Sequence, residues 1–324
     1  MYYQELEKKY SEFIGTSECI AVNTGTAALH VTLEALQLPP GSKVIVPEFT
    51  MYASALAVHY ARLTPVFIDC DDDLLIDLDK VEEAIDSDTK VLMVTHIYGR
   101  IVDMQRVMEI AKRHNLRVIE DACEAQGAKF NGKMIGSFDI GCFSFYANKI
   151  IHGEEGGAIT TDDVQLANII RDMKSMAFGD THDYFHKTIG FNYRMTNSQS
   201  KLILESLSMA NRNINSREAI KNKFNDLFSE KYKMQDNREV VWVYDMKHPK
   251  ADTVVKELKN IGVNARHSFK PMSMMPLFDM EKEAPNALQK SKEVFYLHIN
   301  PEWDEEKVIQ IFEQCDKILK QFEE

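Results

Sequence analysis

Short apolar runs alternate with segments of helical periodicity between Cys19 and Asp162, and this alternation constrains the fold more than any other feature of the chain. The runs predict strands at 20–22, 44–46, 65–68, 91–95, 118–120, 142–145 and 158–160. The segments between them predict helices at 27–38, 53–63, 78–85 and 104–115. Continuous apolar strands that alternate with helices are typical of a largely parallel sheet with helices on both faces. We therefore expect an α/β large domain.

The pattern changes after Asp163. Ile203, Leu207, Ala210 and Ile214 recur at helical spacing and predict one long helix from near residue 197 into the 220s. Beyond it the sequence predicts a strand at 240–244 and helices at 251–261 and 305–322. We expect two packed domains, a large one at 1–205 and a smaller α+β domain at 206–324.

Composition excludes several classes of function. The net charge of −12 argues against nucleic acid or an anionic membrane as the main partner. Five cysteines without a CxxC pair indicate reduced thiols, with neither a disulfide framework nor a metal site. The N-terminus lacks a basic and apolar leader, and no apolar run approaches the ~18 residues of a membrane span. These features predict a cytoplasmic protein.

An acid and an amine follow two of the apolar runs. Asp121 follows the run 116–119 after one intervening residue, and Lys149 comes shortly after the run 140–146. Ligands of such sheets bind at the carboxyl ends of the strands. A pyridoxal phosphate enzyme needs this pair, because the amine binds the cofactor covalently and the carboxylate keeps the pyridine nitrogen protonated. Taken singly, Asp121 is also a candidate helix cap or ion-pair partner, and Lys149 a candidate surface lysine.

A third signal lies in the segment 23–29, Asn-Thr-Gly-Thr-Ala-Ala-Leu, which follows the first strand and opens a helix. Gly25 allows a ligand to approach the backbone, and the free N–H groups of a helix start favour an anion. A capped helix start without a ligand is the alternative interpretation. The segment is not the GxGxxG pattern of dinucleotide-binding domains, so a nicotinamide-dependent oxidoreductase gains no support.

Seven segments in this order resemble the motifs of the DegT/StrS family of sugar-nucleotide aminotransferases. They are NTGTAAL, VPEFTMYASA, THIYGRIVDM, IEDACEAQGA, GSFDIGCFSFYANK, GEEGGAITT and GFNYRMTNSQ. The resemblance is dense over roughly residues 10 to 205 and looser in the C-terminal domain. It implies the aspartate-aminotransferase fold (type I of the pyridoxal phosphate enzymes) with pyridoxal 5′-phosphate as cofactor.

The resemblance also implies roles for individual residues. Lys149 would bind the cofactor and later carry the proton, and Asp121 would pair with the pyridinium nitrogen. Glu124 would lie near the phenolic oxygen. The phosphate would be bound by Gly25, Thr26 and Ser144. Asn192 matches a family residue that reaches the phosphate in the neighbouring subunit, which implies a homodimer with a shared active site; a plain loop asparagine is the alternative.

Several positions depart from the family pattern. Met51, followed by Tyr52, stands where the family usually covers the cofactor with Phe or Trp. Arg100 replaces a more usual polar residue and is either a surface arginine or a contact to the substrate's diphosphate or the donor's carboxylate. The remaining candidate substrate contacts, which are alternatively surface charges, are Arg266, His267 and Lys270.

The function that the resemblance implies is transfer of an amino group from L-glutamate to a nucleotide-linked 4-keto-6-deoxysugar for polysaccharide or O-antigen synthesis. The segments 193–197 and 269–272 look most like the perosamine-synthase branch, which aminates C4 of GDP-4-keto-6-deoxymannose. An aminotransferase for a nucleotide-linked 3-ketosugar and a catalytically silent or regulatory relative are the alternatives. The presence of Lys149 and Asp121 argues against a catalytically silent or regulatory relative.

Overall fold

The structure is a computed structural model that describes residues 1–179, 184–186, 188–278 and 284–323. Its strands are β1 (Glu18–Val22), β2 (Lys43–Pro47), β3 (Thr64–Ile68), β4 (Thr89–Thr95), β5 (Arg117–Asp121), β6 (Lys129–Phe130), β7 (Lys133–Met134), β8 (Ile140–Ser144), β9 (Gly157–Thr161), β10 (Val243–Lys247), β11 (Ala265–His267) and β12 (Val294–His298). Its helices are α1 (Tyr2–Ile14), α2 (Gly25–Ala35), α3 (Tyr52–Tyr60), α4 (Leu78–Glu83), α5 (Met104–His114), α6 (Val164–Met173), α7 (Asn197–Ser208), α8 (Ala210–Leu227), α9 (Ala251–Asn260), α10 (Pro285–Glu293) and α11 (Glu305–Gln321).

A seven-stranded sheet forms the centre of the large lobe, in the order β1-β9-β8-β5-β4-β2-β3. Strand β9 runs antiparallel to both of its neighbours, and the other pairs are parallel. All seven predicted strands are present, so the predicted α/β class with a mostly parallel sheet is confirmed. Two separate apolar clusters contain buried side chains of these strands, as expected for a sheet that is covered by helices on both faces.

The four helices predicted between the strands are also present, and each ends before its predicted boundary. Gln37, Arg62 and Asn115 adopt positive φ angles of 51°, 57° and 53°, which a right-handed helix cannot continue through. The sequence pattern does not reveal these helix ends, because none of the three residues is glycine or proline.

The C-terminal lobe is α+β, as predicted, but two of its elements differ from the prediction. The prediction of one long helix from residue 197 is wrong, because the helical segment is interrupted at Met209, between α7 and α8. The strand predicted at 240–244 lies at β10, three residues later. β10 pairs with β12 and β12 with β11 in a small antiparallel sheet. Helices α1, α6 and α10 and strands β6, β7, β11 and β12 were not predicted. The division at 205/206 stays a prediction, and the break at Met209 lies close to it.

Arg100 joins the two lobes, which corrects the prediction that it lies on the surface or contacts substrate. It is 1% exposed, and its Nη2 donates to Asp245 Oδ2 at 2.8 Å and to the Gln235 carbonyl at 3.1 Å. Arg238 contacts the other oxygen of the same carboxylate at 3.0 Å. Burial opposes ionisation of Asp245, but the two guanidinium groups outweigh it and lower the pKa of this carboxyl group.

The loop before Arg100 packs directly on the C-terminal lobe. Gly99 has φ 86°, and a Cβ at this position would lie 1.9 Å from the carbonyl oxygen of Val240. The Gly99 carbonyl accepts a hydrogen bond from the Glu239 N–H at 3.0 Å. Only glycine allows both the backbone conformation and the close approach. None of the helices in the described part of the chain is long and apolar enough to cross a membrane.

We expect Gly99→Ala to destabilise the protein more than Gly132→Ala. Gly132 also has a positive φ, 79°, but a Cβ there meets nothing within 4 Å. The control should therefore lose only the ~1–2 kcal/mol of left-handed strain. Gly99→Ala should lose about 1–3 kcal/mol more, because the Val240 backbone must move. Urea unfolding of both variants measures the difference, and equal losses would show that the contact with Val240 is unimportant.

Candidate active site

A cavity of about 450 Å³ lies at the carboxyl ends of β5 and β8, where the two lobes meet. The large lobe contributes the start of α2, the start of α3 and the segments after β5 and β8. The C-terminal lobe contributes three aromatic side chains, Trp242, Phe269 and Tyr296. Of the predicted site residues, the cavity brings together Gly25, Thr26, Met51, Asp121, Glu124, Ser144 and Lys149.

Asp121 is the last residue of β5 and is 3% exposed. Ser54 donates its hydroxyl hydrogen to Asp121 Oδ2 at 2.8 Å, and the Cys123 N–H donates to Oδ1 at 3.3 Å. Ser54 is itself 3.1 Å from the hydroxyl of Thr50. No helix begins at Asp121, and it makes no ion pair with the described residues, so neither alternative interpretation applies. The hydrogen bonds fix the direction of a carboxylate at the cavity wall.

Lys149 is 8% exposed, so the interpretation as a surface lysine is wrong. Its Nζ lies 3.7 Å from the ring centroid of Trp242, a cation–π contact. The indole N–H of Trp242 donates to the Asn148 carbonyl at 2.9 Å, which fixes the ring over the amine. Lys149 makes no ion pair with a carboxylate in the described part of the chain. The amine is therefore held in place without being neutralised by an acidic partner.

Glu124 is a buried carboxyl group close to both of these residues. Burial raises its pKa to about 7, although Lys149 acts in the opposite direction. The backbone N–H of Tyr98 donates to Glu124 Oε2 at 3.0 Å. A carboxyl group with a pKa near neutrality can hold or release a proton under physiological conditions.

The opposite end of the cavity is suited to a phosphate group. Thr24 caps α2 by accepting from the Ala27 N–H at 3.0 Å. The N–H groups of Gly25 and Thr26, in the first turn, have no carbonyl partner within the helix. A Cβ at Gly25 would lie 2.7 Å from Ser144 Cβ, so only glycine allows this helix start to approach Ser144. These residues fit the phosphate of pyridoxal phosphate, and Lys149 and Asp121 fit its aldehyde and ring nitrogen.

Met51 lines the cavity only at its edge, and Tyr52, Asn192, Arg266, His267 and Lys270 lie outside it. Met51 is 53% exposed at its edge, and the ring of Tyr52 turns toward Phe278, with centroids 6.0 Å apart. Asn192 is exposed, and its role in a partner's site stays a prediction. His267 pairs with Asp252 at 3.0 Å. Lys270 Nζ donates to the Ser291 carbonyl at 3.1 Å.

His267 and Lys270 therefore make contacts within the chain, and their positions give no support to a substrate contact. Arg266 lines a second cavity, of about 960 Å³, which shares Tyr146, Asn148 and Tyr296 with the first, and its contact with substrate stays a prediction. The contribution of Trp242, Phe269 and Tyr296 was not predicted from the sequence. Trp242 and Tyr296 lie in apolar stretches that look like ordinary core, whereas Phe269 lies between Ser268 and Lys270. No local signal directs any of the three toward residues of the large lobe.

The match to known proteins is consistent with this geometry. The model of the DegT/DnrJ/EryC1/StrS aminotransferase family matches residues 1–316. The chain belongs to this family. The predicted family, its type I fold and its class as a pyridoxal-phosphate-dependent aminotransferase are thereby confirmed.

Two relatives carry the same name, GDP-perosamine synthase. The protein from Caulobacter vibrioides is 38% identical over 286 residues, which cover 84% of this chain and 77% of the relative. That from Escherichia coli O157:H7 is 35% identical over 287 residues, which cover 86% and 79%. The crystal structure of S. venezuelae DesV superposes with a TM-score of 0.91 at 26% identity and covers 98% of this chain and 89% of that one.

We expect Glu124→Gln to stabilise the cofactor-free protein at alkaline pH. The folded-state pKa of about 7 lies above the ordinary 4.5, so the favourable contribution of neutral Glu124 is present below about pH 4.5 and is lost as pH rises through 7. Glutamine keeps an acceptor for the Tyr98 N–H but cannot ionise. The variant should gain stability relative to the unmodified protein between about pH 5 and about pH 8, by at most ~3 kcal/mol.

Urea unfolding at both pH values measures this gain. The exposed Glu12→Gln serves as the control and should show no comparable pH-dependent gain. A difference for Glu124→Gln that stays constant with pH would contradict the assigned burial effect.

Proposed function

We propose that this protein transfers an amino group from L-glutamate to C4 of a nucleotide-linked 4-keto-6-deoxysugar. The observation that carries the proposal is the meeting of Lys149 and Asp121 in one buried cavity with an anion-binding helix start. Relatives that are named GDP-perosamine synthase favour GDP-4-keto-6-deoxymannose as the acceptor.

Each residue has a defined task in this reaction. Pyridoxal phosphate, when bound, supplies an electron-withdrawing ring that stabilises negative charge on the reacting carbon. Asp121, oriented by Ser54, would keep the ring nitrogen protonated. Lys149 Nζ would hold the cofactor and would carry a proton to and from the reacting carbon. Trp242 and Tyr296 help to exclude water from the amine.

We further propose a homodimer whose partner completes the phosphate site through Asn192. This residue is exposed and lies beyond the cavity of its own chain. Phe185 and Ile189, on the segment that leads to it, are 70% and 50% exposed. In the proposed dimer the partner would cover these apolar side chains.

The five cysteines are free thiols, as expected for the reducing cytoplasm in which we place the reaction.

Incubation of the purified holoenzyme with L-glutamate, with detection of 2-oxoglutarate, tests the first half of the reaction. GDP-, UDP- and dTDP-linked 4-keto and 3-keto sugars, with mass spectrometry of the products, test the second half. Amination of the GDP-linked 4-ketosugar supports the proposal, and amination of 3-keto substrates alone would reassign the acceptor. If no nucleotide ketosugar is aminated and no 2-oxoglutarate forms, the catalytic proposal is wrong and a silent relative is favoured.

Lys149→Ala should abolish glutamate-dependent turnover, because no other amine lines the cavity in the described part of the chain. The exposed Lys129→Ala is the control and should keep full activity. Circular dichroism and size-exclusion chromatography should show the same folded dimer for both variants. Full activity of Lys149→Ala would overturn the assignment of this residue.

Asp121→Asn should lower the turnover rate by ~10²-fold or more. The amide still accepts the hydrogen bond from Ser54 but carries no charge to keep the ring nitrogen protonated. The exposed Asp88→Asn is the matched control. Steady-state kinetics measure the effect, and an unchanged rate would mean that another group protonates the ring.

A further inference from the structure

Asn192 lies in a short extended segment whose backbone is bonded to the large lobe on both sides of this residue. The N–H of Tyr193 donates to the Lys174 carbonyl at 2.9 Å, and the Tyr193 carbonyl accepts from the Asn23 N–H at 2.9 Å. The N–H of Phe191 donates to the carbonyl of the last residue of α6 at 2.6 Å. Hydrogen bonds on both neighbours of Asn192 fix the backbone from which its side chain projects.

The side chains of Phe191 and Tyr193 lie on one side of this segment. Their rings stack with centroids 5.1 Å apart and an angle of 10° between the planes. Both rings lie edge-on to the ring of His30, with centroids 4.9 Å and 5.9 Å from it. Successive side chains of an extended segment point to opposite sides. Asn192, which is exposed, therefore points away from this aromatic cluster.

A hydrogen bond joins Tyr193 to His30, which is buried. The Nδ1 atom of His30 lies 2.9 Å from the Tyr193 hydroxyl oxygen, and Glu34 Oε1 lies 3.4 Å from the other ring nitrogen, Nε2. Burial lowers the pKa of His30, although Glu34 acts in the opposite direction, so the ring is neutral at neutral pH. A carboxylate only accepts, which places the single ring hydrogen on Nε2. Tyr193 therefore donates its hydroxyl hydrogen to Nδ1.

His30 belongs to the helix whose first turn is suited to the cofactor phosphate. Gly25 and Thr26 lie in that turn of α2, and Asn23 comes directly before the residue that caps it. Tyr193 holds this helix at two points, through the Asn23 N–H in front of it and through His30 Nδ1 in its second turn. The residue that fixes the start of α2 is therefore also the neighbour that directs Asn192.

We propose that Tyr193 is a positioning residue that couples the two phosphate sites of the dimer. It fixes the start of α2 for the cofactor of its own chain, and it fixes Asn192 for the cofactor of the partner chain. The inference rests on the proposed homodimer with shared sites and names the residue that aligns them. Neither role requires contact between Tyr193 and the cofactor.

The dissociation constant of pyridoxal phosphate, measured from the absorbance of the lysine-bound cofactor, tests this role. Tyr193→Phe keeps the stacked ring and removes only the hydroxyl, so it should fold and should bind the cofactor about 10-fold more weakly. Tyr60→Phe is the matched control, because the Tyr60 ring contacts the same histidine and is 50% exposed. The control should bind the cofactor normally, and an equal loss in both variants would overturn the role of the hydrogen bond.

Two replacements of His30 separate the lost hydrogen bond from a general loss of packing. His30→Asn keeps an acceptor at about the position of Nδ1, so it should bind the cofactor more tightly than His30→Leu does. In a Tyr193→Phe background the two replacements should bind the cofactor equally, because the donor is gone. The same difference between them with and without the Tyr193 hydroxyl would contradict the proposal.

Mixed dimers that contain one Lys149→Ala chain locate the effect, because only the other chain then binds the cofactor covalently. Tyr193→Phe is placed either in the chain that keeps Lys149 or in the Lys149→Ala chain. Both arrangements should weaken cofactor binding, since the first disturbs α2 and the second disturbs Asn192. A loss in the first arrangement alone, or in neither, would overturn the coupling.

Formation of 2-oxoglutarate from L-glutamate by the unmodified enzyme tests the proposed reaction separately. Weaker cofactor binding in both arrangements without any glutamate turnover would support the role of Tyr193 and refute the reaction. Normal turnover with no effect from the Lys149→Ala chain would refute the role and leave the reaction intact. A monomer in size-exclusion chromatography would refute both the dimer and the coupling.

Discussion

A buried amine that has no carboxylate partner among the described residues is the constraint on which the site depends. Lys149 is almost fully buried, yet the contact that holds its Nζ is the face of Trp242 and not an acid. Asp121 shares the cavity but is directed by Ser54. Because β5 and β8 are adjacent and parallel, their carboxyl ends bring the acid and the segment with the amine to one edge of the sheet. An ion pair within the chain would remove the free amine that a carbonyl cofactor requires.

The C-terminal lobe is part of this site and not only a cover for it. Trp242 and Tyr296 come from that lobe and form the wall beside the amine. The lobes are held together by the Arg100–Asp245 ion pair and by the close approach of Gly99 to Val240. The position of the Trp242 ring therefore depends on these two buried contacts between the C-terminal lobe and the large lobe. Trp242 also contacts helix α8, since its carbonyl accepts a hydrogen bond from Arg217 while its ring contacts Lys149.

Local sequence patterns predicted the elements and residues whose positions depend mainly on their neighbours in the chain. The seven strands were predictable because each contains a short apolar run, and all but the edge strand β3 are almost wholly buried. Asp121 and Lys149 were predictable because each follows such a run. Arg100 was placed wrongly because its burial depends on Asp245, 145 positions later, which no local pattern reveals. The strand predicted at 240–244 lies three residues later because Val240 packs on the Gly99 loop and Trp242 on Lys149.

The most direct test of the account is to identify the lysine that holds the cofactor. Treating the holoenzyme with borohydride makes the link between pyridoxal phosphate and its lysine permanent, and peptide mass spectrometry then locates the modified residue. The account predicts the cofactor's mass on the peptide that contains Lys149 and on no other. Modification of a different lysine, or none in a protein that contains the cofactor, would contradict it.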